Sequence, residues 1–210
     1  MIEIDTQCLN LFEKKQILRE KARAKRKRLM PAVRHHAALL IAEHLLTLSQ
    51  SWPPSLIAGY CSMGSEVDVM PALLRLEQAG HHLALPSVTQ DGLVFRTYRS
   101  NDPLQAGPLN TREPLPEHPA CRPQVVLVPL LAFDHSLMRL GQGAGFYDRA
   151  LAQLRQSGPL HTIGIAFACQ MTDTPIPAEP HDQSLDWVVT ENGLHASRSP
   201  HQPPHGADQL

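Results

Sequence analysis

Arg139 to Leu151 reads Arg-Leu-Gly-Gln-Gly-Ala-Gly-Phe-Tyr-Asp-Arg-Ala-Leu. Gly141, Gly143 and Gly145 alternate, with Gln142 and the small Ala144 between them. Glycine lets the backbone take positive φ and brings its N–H groups close to a ligand. The helical pattern resumes at Phe146, and a helix start attracts anions through its free N–H groups and the positive end of its dipole. The chemistry such a loop supports is phosphate binding. Spacing alone is also met by turns that only pack a helix on a sheet. A P-loop needs Lys-Ser/Thr after its last glycine, and here Phe146-Tyr147 follow. The dinucleotide fingerprint sits directly after the first strand, whereas this loop comes late, after Phe133-Asp134-His135-Ser136. Asp148, in the first helical turn, either complements the dipole or, beside bound phosphate, holds magnesium.

Three other groups carry reactive types. Lys15 and Arg19 sit four apart and share a helix face. Taken alone they read as part of a solvated basic stripe. Glu66, in Gly64-Ser65-Glu66-Val67-Asp68, follows an apolar strand, at the end where open α/β sheets place ligands. It also suits a helix cap. Cys61 lies on that same strand end and reads as a packing residue, since no histidine is placed to activate it. Asp182 closes Pro177-Ala178-Glu179-Pro180-His181-Asp182, where a capping Asp and a loop His are the plain alternative.

These residues need a scaffold, and the 210-residue chain suits one α/β domain with tails. Hydrophobic residues are 42%, enough for a core, and 19 prolines punctuate the loops. Net charge is −1, yet residues 14 to 28 hold nine of the 19 basic side chains, so the rest is acidic. Such a block favours anions. Lys21 to Arg28 are read as surface. The four cysteines, Cys8, Cys61, Cys121 and Cys169, lie far apart and suggest neither disulfides nor zinc. With no signal peptide and no spanning segment, a reducing cytoplasm is expected.

The periodicity predicts a helix over 9–30, through Leu11, Phe12, Ile17 and Leu18, and a second opened by Pro31. Strands follow at 55–61, 82–88, 92–98, 124–133, 161–168 and 186–191, with helices at 67–80 and from Phe146. Strands alternating with helices imply a mostly parallel sheet with helices on its faces. The 92–98 strand belongs at an edge and 124–133 mid-sheet. Residues 99–123 form an ordered excursion. The expected division is a flexible 1–8, one domain over 9–194 and a disordered tail over 195–210.

Arg139-Leu140-Gly-x-Gly-x-Gly145-Phe146-Tyr147-Asp148-Arg149 resembles the signature of the 5-formyltetrahydrofolate cyclo-ligases. Val128-Pro129-Leu130-Leu131-Ala132-Phe133-Asp134 is similar to that family's Val-Pro-Gly-x-Ala-Phe-Asp, with Leu130 for glycine. The Lys-x-x-x-Arg pair, Glu66 and the Glu-x-His-Asp segment match in order, so the likeness runs from about Lys14 to Gly193. Phe146 stands where Tyr is commoner.

The resemblance implies a Rossmann-like, single-domain three-layer α/β sandwich, of the kind found in sugar-phosphate isomerases and CoA-transferases. It implies ATP contacts from Lys15, Arg19 and Arg139 through Leu140, Gly141, Gln142, Gly143, Ala144, Gly145, Phe146 and Tyr147. Lys15, Arg19 and Arg139 would stabilise charge in catalysis. Folate contacts would come from Cys61, Glu66, Gln142, Gly143, Ala144, Gly145 and Phe146, and Mg2+ would be held by Asp148 and Asp182. The implied reaction takes 5-formyltetrahydrofolate and ATP to 5,10-methenyltetrahydrofolate, ADP and phosphate, by a monomer with small-molecule partners and neither nucleic acid nor membrane. The rivals are a sugar-phosphate isomerase or CoA-transferase-like enzyme, a folate-binding paralogue without catalysis, and a nucleic-acid binder led by the basic block. The block lacks interleaved aromatics, which disfavours the last.

Overall fold

The computed structural model describes residues 10–196. Helix α1, Leu11–Lys27, starts on a capping box in which the Asn10 side chain accepts from the Glu13 amide and Glu13 accepts from the Asn10 amide. Helix α2, Pro31–Ser49, has its proline in the first turn, where no N–H is required. The single helix expected over 9–30 is thus shorter at both ends.

The strands are β1 (Leu56–Ala58), β2 (His82–Thr89), β3 (Gly92–Tyr98), β4 (Leu104–Ala106), β5 (Arg112–Pro114), β6 (Val125–Pro129), β7 (Ala132–Phe133), β8 (Arg139–Leu140), β9 (His161–Ile165), β10 (Trp187–Thr190) and β11 (Gly193–Ala196). Helix α3 is Met70–Gln78 and α4 is Phe146–Gln156. α3 begins three residues later than the periodicity suggests. The Asp68 carboxylate accepts from the Met70 amide and Pro71 sets the first turn.

Seven strands form one sheet in the order β11-β10-β9-β6-β1-β2-β3. Its middle is parallel, and the two edge pairings, β2 with β3 and β10 with β11, are antiparallel. Alternation along each strand separates two cores. Ile57, Leu83, Leu127 and Ile163 meet Ile41, Leu45, Leu73 and Leu76 of α2 and α3. Ala58, Ala84, Val126 and Val128 face the other way, onto Leu151 of α4. That is a three-layer single domain with helices on both faces of a mostly parallel sheet, with β3 at an edge and β6 in the middle. Among the described residues no helix is long and apolar enough to cross a membrane.

Connectivity decides where a ligand can sit. From β1 the chain crosses through α3 to β2 on one side, and from β6 through α4 to β9 on the other. The crossovers diverge between β1 and β6, and their C-terminal ends open a crevice there. The apolar run at 124–133 breaks inside this crevice. β6 stops at Pro129, which has no N–H to continue a ladder. Leu130 turns out of the sheet, and β7 pairs with β8 as a hairpin. Leu137 at its tip takes φ +60. Asp134 holds the turn, accepting from the amides of Ser136, Met138 and Ile176. This short pairing was not visible in the sequence pattern, and neither was β4–β5, which lies within the 99–123 excursion.

The strand at 186–191 is not the last, as the pattern suggests: β11 pairs antiparallel with β10, and through His195 and Ala196 it carries the sheet two residues past the expected boundary at 194. The proposed flexible segment 1–8 and the rest of the proposed tail lie outside the described residues.

Gly164 has a packing reason to be glycine. A Cβ there would meet Leu185 at 2.6 Å and Leu130 at 2.7 Å. Gly164→Val is expected to destabilise by about 1–3 kcal/mol, the usual overpacking cost. Gly141→Ala, whose Cβ would meet nothing within 4 Å, should stay within about 0.5 kcal/mol. Urea unfolding of the two variants measures both.

Candidate active site

The crevice between β1 and β6 holds a cleft of about 420 Å³. Its walls include every residue the sequence singled out: Cys61, Glu66, Lys15, Arg19, Arg139 to Asp148, and Asp182. Apolar Pro86, Val88 and Leu93 extend it along β2 and β3.

One wall is the glycine loop. Gly143 takes φ +110, and Gly145 takes φ +66 while capping α4, both left-handed values that favour glycine. A Cβ on Gly143 would approach the Arg19 guanidinium at 3.2 Å. Gly141 would face open space instead, so its value lies in backbone access rather than in conformation. Phe146 is half-buried, with the Arg149 guanidinium 5.3 Å from its ring centre. Burial, then the nearby Glu66 charge, pushes the Tyr147 hydroxyl up, so the phenol is neutral.

Across the cleft runs α1. Its buried side chains are Lys15, Arg19 and Arg26. Lys15 Nζ lies 2.6 Å from Asp182 Oδ2 and 2.7 Å from Glu179 Oε2. Arg19 Nε donates to the Gly141 carbonyl at 3.1 Å, and Arg23 Nη2 to Gln142 Oε1 at 2.9 Å. Burial alone would pull the Lys15 ammonium down, but its hydrogen bonds to Asp182 and Glu179 outweigh that and the net shift is upward. Burial would likewise raise Asp182, and Lys15 with the Glu179 amide carries it below the ordinary carboxylate value.

Arg139, 6% exposed, holds the far side. Its Nη2 lies 2.8 Å from Asp148 Oδ1, and its Nη1 donates to the Gln183 carbonyl. Asp148 Oδ1 also accepts from the Gln183 amide at 3.0 Å. Burial pulls the Arg139 guanidinium down and Asp148 opposes it. Glu66, 8% exposed, accepts from the Met63 amide on Oε2 and from Gln142 Nε2 on Oε1. Cys61 is half-buried, and burial pushes its thiol up, against thiolate chemistry.

The donors suited to a metal ion are distributed differently from the expected pair. Glu179, His181 and Asp182 offer ligand atoms within 4.8 Å of one another, while Asp148 is paired with Arg139. Carboxylate oxygens lining the cleft are of the kind that suits a hard divalent cation, and Glu179 stands beside Asp182 there, both paired with Lys15 Nζ.

Two sequence expectations fail. The pattern makes Arg26 a surface residue, yet it is 5% exposed and donates to Ser65 Oγ at 3.0 Å. The helical spacing puts Phe12 on the apolar face of α1, yet it is 67% exposed at the cleft. Spacing held the signal: Lys15, Arg19, Arg23 and Arg26 fall four, four and three apart, one face of one helix. Glu113, 5% exposed and lining the cleft, had no such signal. Its Oε1 accepts from the Val88 amide and Thr111.

The 5-formyltetrahydrofolate cyclo-ligase family model matches residues 12–191. The chain is 31% identical over 175 residues to the 5-formyltetrahydrofolate cyclo-ligase of Escherichia coli K12, covering 80% of this chain and 95% of that protein. It is 35% identical over 153 residues to the one from Mycolicibacterium smegmatis, covering 68% and 77%. Among solved structures, the 5,10-methenyltetrahydrofolate synthetase of Aquifex aeolicus superposes with a TM-score of 0.71 at 27% identity, over 91% of this chain and 96% of that one. The Mycoplasma pneumoniae synthetase gives 0.68 at 26%, over 84% and 98%.

The Lys15 cluster has a pH signature. Asp182 is depressed, so its contribution to stability is present above its ordinary 3.8 and is lost as pH falls through the lower folded value. Lys15 is raised, so its share is present below 10.5 and is lost as pH rises through the higher folded value. Lys15→Met should cost about 1–3 kcal/mol at neutral pH, as expected for hydrogen bonds to charged groups. In urea unfolding at decreasing pH, the gap to wild type should close as Asp182 protonates.

Proposed function

The chain belongs to the 5-formyltetrahydrofolate cyclo-ligase family, and on that premise we propose that it converts 5-formyltetrahydrofolate to 5,10-methenyltetrahydrofolate with ATP and Mg2+, releasing ADP and phosphate. The observation that carries this reading is a single cleft, at the sheet's switch point, lined together by the glycine loop, the Lys15, Arg19 and Arg139 cations and the buried Glu66 carboxylate.

The chemical difficulty is a poor electrophile, because the formamide carbonyl is stabilised by its nitrogen. Transfer of the γ-phosphoryl group to the formyl oxygen creates a leaving group. The neighbouring folate nitrogen then attacks the formyl carbon, the ring closes and phosphate departs. Nothing in this sequence needs a covalent enzyme nucleophile. The protein's task is alignment and neutralisation of charge.

In this reading Lys15, Arg19 and Arg139 meet phosphate oxygens, together with the backbone N–H groups of the loop from Leu140 to Tyr147. Lys15 is a point charge, the guanidinium fork of Arg19 matches phosphate oxygens two at a time, and Arg139, its Nη groups held by Asp148 and Gln183, adds its charge. Glu66 accepts from pterin N–H donors, with Cys61, Gln142 and Phe146 packing round the folate. Magnesium, held by Asp148 and Asp182 with Glu179 beside them, would offset the charge of the phosphates. Tyr60, buried, and Tyr147, half-buried, both line the cleft and limit the access of bulk water to the reacting atoms. The enzyme acts as a monomer in a reducing cytoplasm; Cys61, Cys121 and Cys169 are unpaired.

The basic block no longer favours a nucleic-acid binder. Lys15 and Arg19 line the cleft and Arg26 is buried against Ser65, Glu66 and Leu130, whereas Lys21, Lys25, Lys27 and Arg28 remain outward.

Methenyl-folate formation followed by absorbance is expected to require both ATP and magnesium. Turnover without ATP contradicts the reading. Asp148→Asn, which keeps the shape beside Arg139, is expected to lose at least about 100-fold in kcat while remaining folded, a loss typical of metal-associated carboxylates. Wild-type kcat in that variant removes Asp148 from the metal role.

A further inference from the structure

We propose that Arg26 is a positioning residue for the reaction, acting through Glu66 to fix the carboxylate that receives the folate. This rests on the reading of Glu66 given above.

Arg26 lies last on the inward face of α1, and its side chain is 6% exposed. Its guanidinium reaches three groups from two different connections. Nε donates to Ser65 Oγ at 3.0 Å, Nη1 donates to the Leu130 carbonyl at 3.3 Å, and Nη1 lies 3.9 Å from Glu66 Oε1. Ser65 and Glu66 follow β1, and Leu130 follows β6. One side chain therefore bridges the segments that follow β1 and β6, on either side of the switch point.

The charge balance gives the bridge a purpose. An ionised carboxylate that is 8% exposed is costly without a cation. Among the described residues, Glu66 makes one ion pair, with Arg26. The other groups around it are neutral: the Met63 amide, Gln142 Nε2, and the phenols of Tyr60 and Tyr147. Gln142 in turn accepts from Arg23, on the same face of α1 one turn earlier. Glu66 is thus held on Oε2 by its own loop, and on Oε1 by Gln142 and by the Arg26 charge. Of about four acceptor sites on a carboxylate, two take hydrogen bonds here. The others stay free for a pair of ligand N–H donors.

Arg26 also lies away from the expected phosphates. The residues it contacts, Ser65, Glu66 and Leu130, exclude the glycine loop and the Glu179–Asp182 segment. Its loss should therefore fall on folate rather than on nucleotide. A residue that only stabilised the fold would affect both substrates alike.

The test is a double-mutant cycle on steady-state KM. Arg26→Met, Glu66→Gln and the double variant are compared with wild type, for 5-formyltetrahydrofolate and for ATP. Arg26→Met is expected to raise the folate KM about tenfold, the scale of one charge-assisted hydrogen bond, and to leave the ATP KM within about twofold. In the Glu66→Gln background the same change should add less than about twofold, because its route is already cut. Equal rises in both KM values, or fully additive losses, overturn the proposal. Arg26→Lys guards against a failure to fold: it keeps the charge but loses the fork. It is expected to show a smaller, still folate-selective rise, and a rise in the folate KM as large as that of Arg26→Met, matched in the ATP KM, also overturns the proposal. Glu66→Gln alone separates the two ideas. If it leaves the folate KM unchanged, the reading of Glu66 fails. If it raises the folate KM and Arg26→Met does not, only the role of Arg26 fails.

Discussion

A buried cation must find acceptors, and that constraint organises the functional half of this molecule. The side chains α1 buries are Lys15, Arg19 and Arg26, and its aromatic residue, Phe12, is exposed. Its apolar contribution is modest, with Leu18 and Ala22 packed against a small cluster around Leu140 and Ile176. Buried ion pairs return little net stability against apolar packing. A helix built this way is poorly explained as a stabilising element. It makes sense as a cation carrier, placed across three loops that each supply acceptors: Glu179 and Asp182, the Gly141 carbonyl, and Ser65 with Glu66.

The loops converge because of the sheet's connectivity. β1 and β6 are neighbours whose crossovers depart to opposite sides, and this opens the space that α1 spans. The break at Pro129 and Leu130 keeps the following hairpin from closing it. Leu130 serves twice there, its carbonyl accepting from Gln170 and from Arg26. Packing on the two sheet faces is separate from this arrangement, since both cores are apolar and lie under α2, α3 and α4. Polar residues are concentrated along one edge of a conventional α/β body, the pattern expected when a site is grafted on a fold.

Most of the scaffold was legible in the chain because its signals are local. Period-two and period-3.6 alternation, Pro31 and Gly80 marked the principal strands and helices to within a few residues, and α4 opens at Phe146 as expected. What was not legible depended on distant partners. A two-residue pairing such as β7 with β8 carries too little periodicity to register. Arg26 sits in a run of exposed cations; its spacing from Lys15, Arg19 and Arg23 puts it on the inward face, but its partner, the Glu66 loop 40 residues on, is not visible in the pattern. Phe12 fits an apolar helical stripe, yet at that height α1 faces the cleft rather than a core. Glu179 was in view within its motif, but its approach to Lys15 is a contact across 164 residues. The glycine loop stood out because chirality makes φ of +110 and +66 costly for other residues.

The central claim is that the glycine loop and the cations of α1 are a triphosphate seat facing a folate pocket. A crystal structure with a non-hydrolysable ATP analogue and magnesium tests it most directly. The account predicts phosphate oxygens within hydrogen-bond distance of the loop amides and of Arg19 and Arg139, with Lys15 Nζ transferred from Asp182 to phosphate. A triphosphate bound elsewhere, with Lys15 still on Asp182, would contradict it.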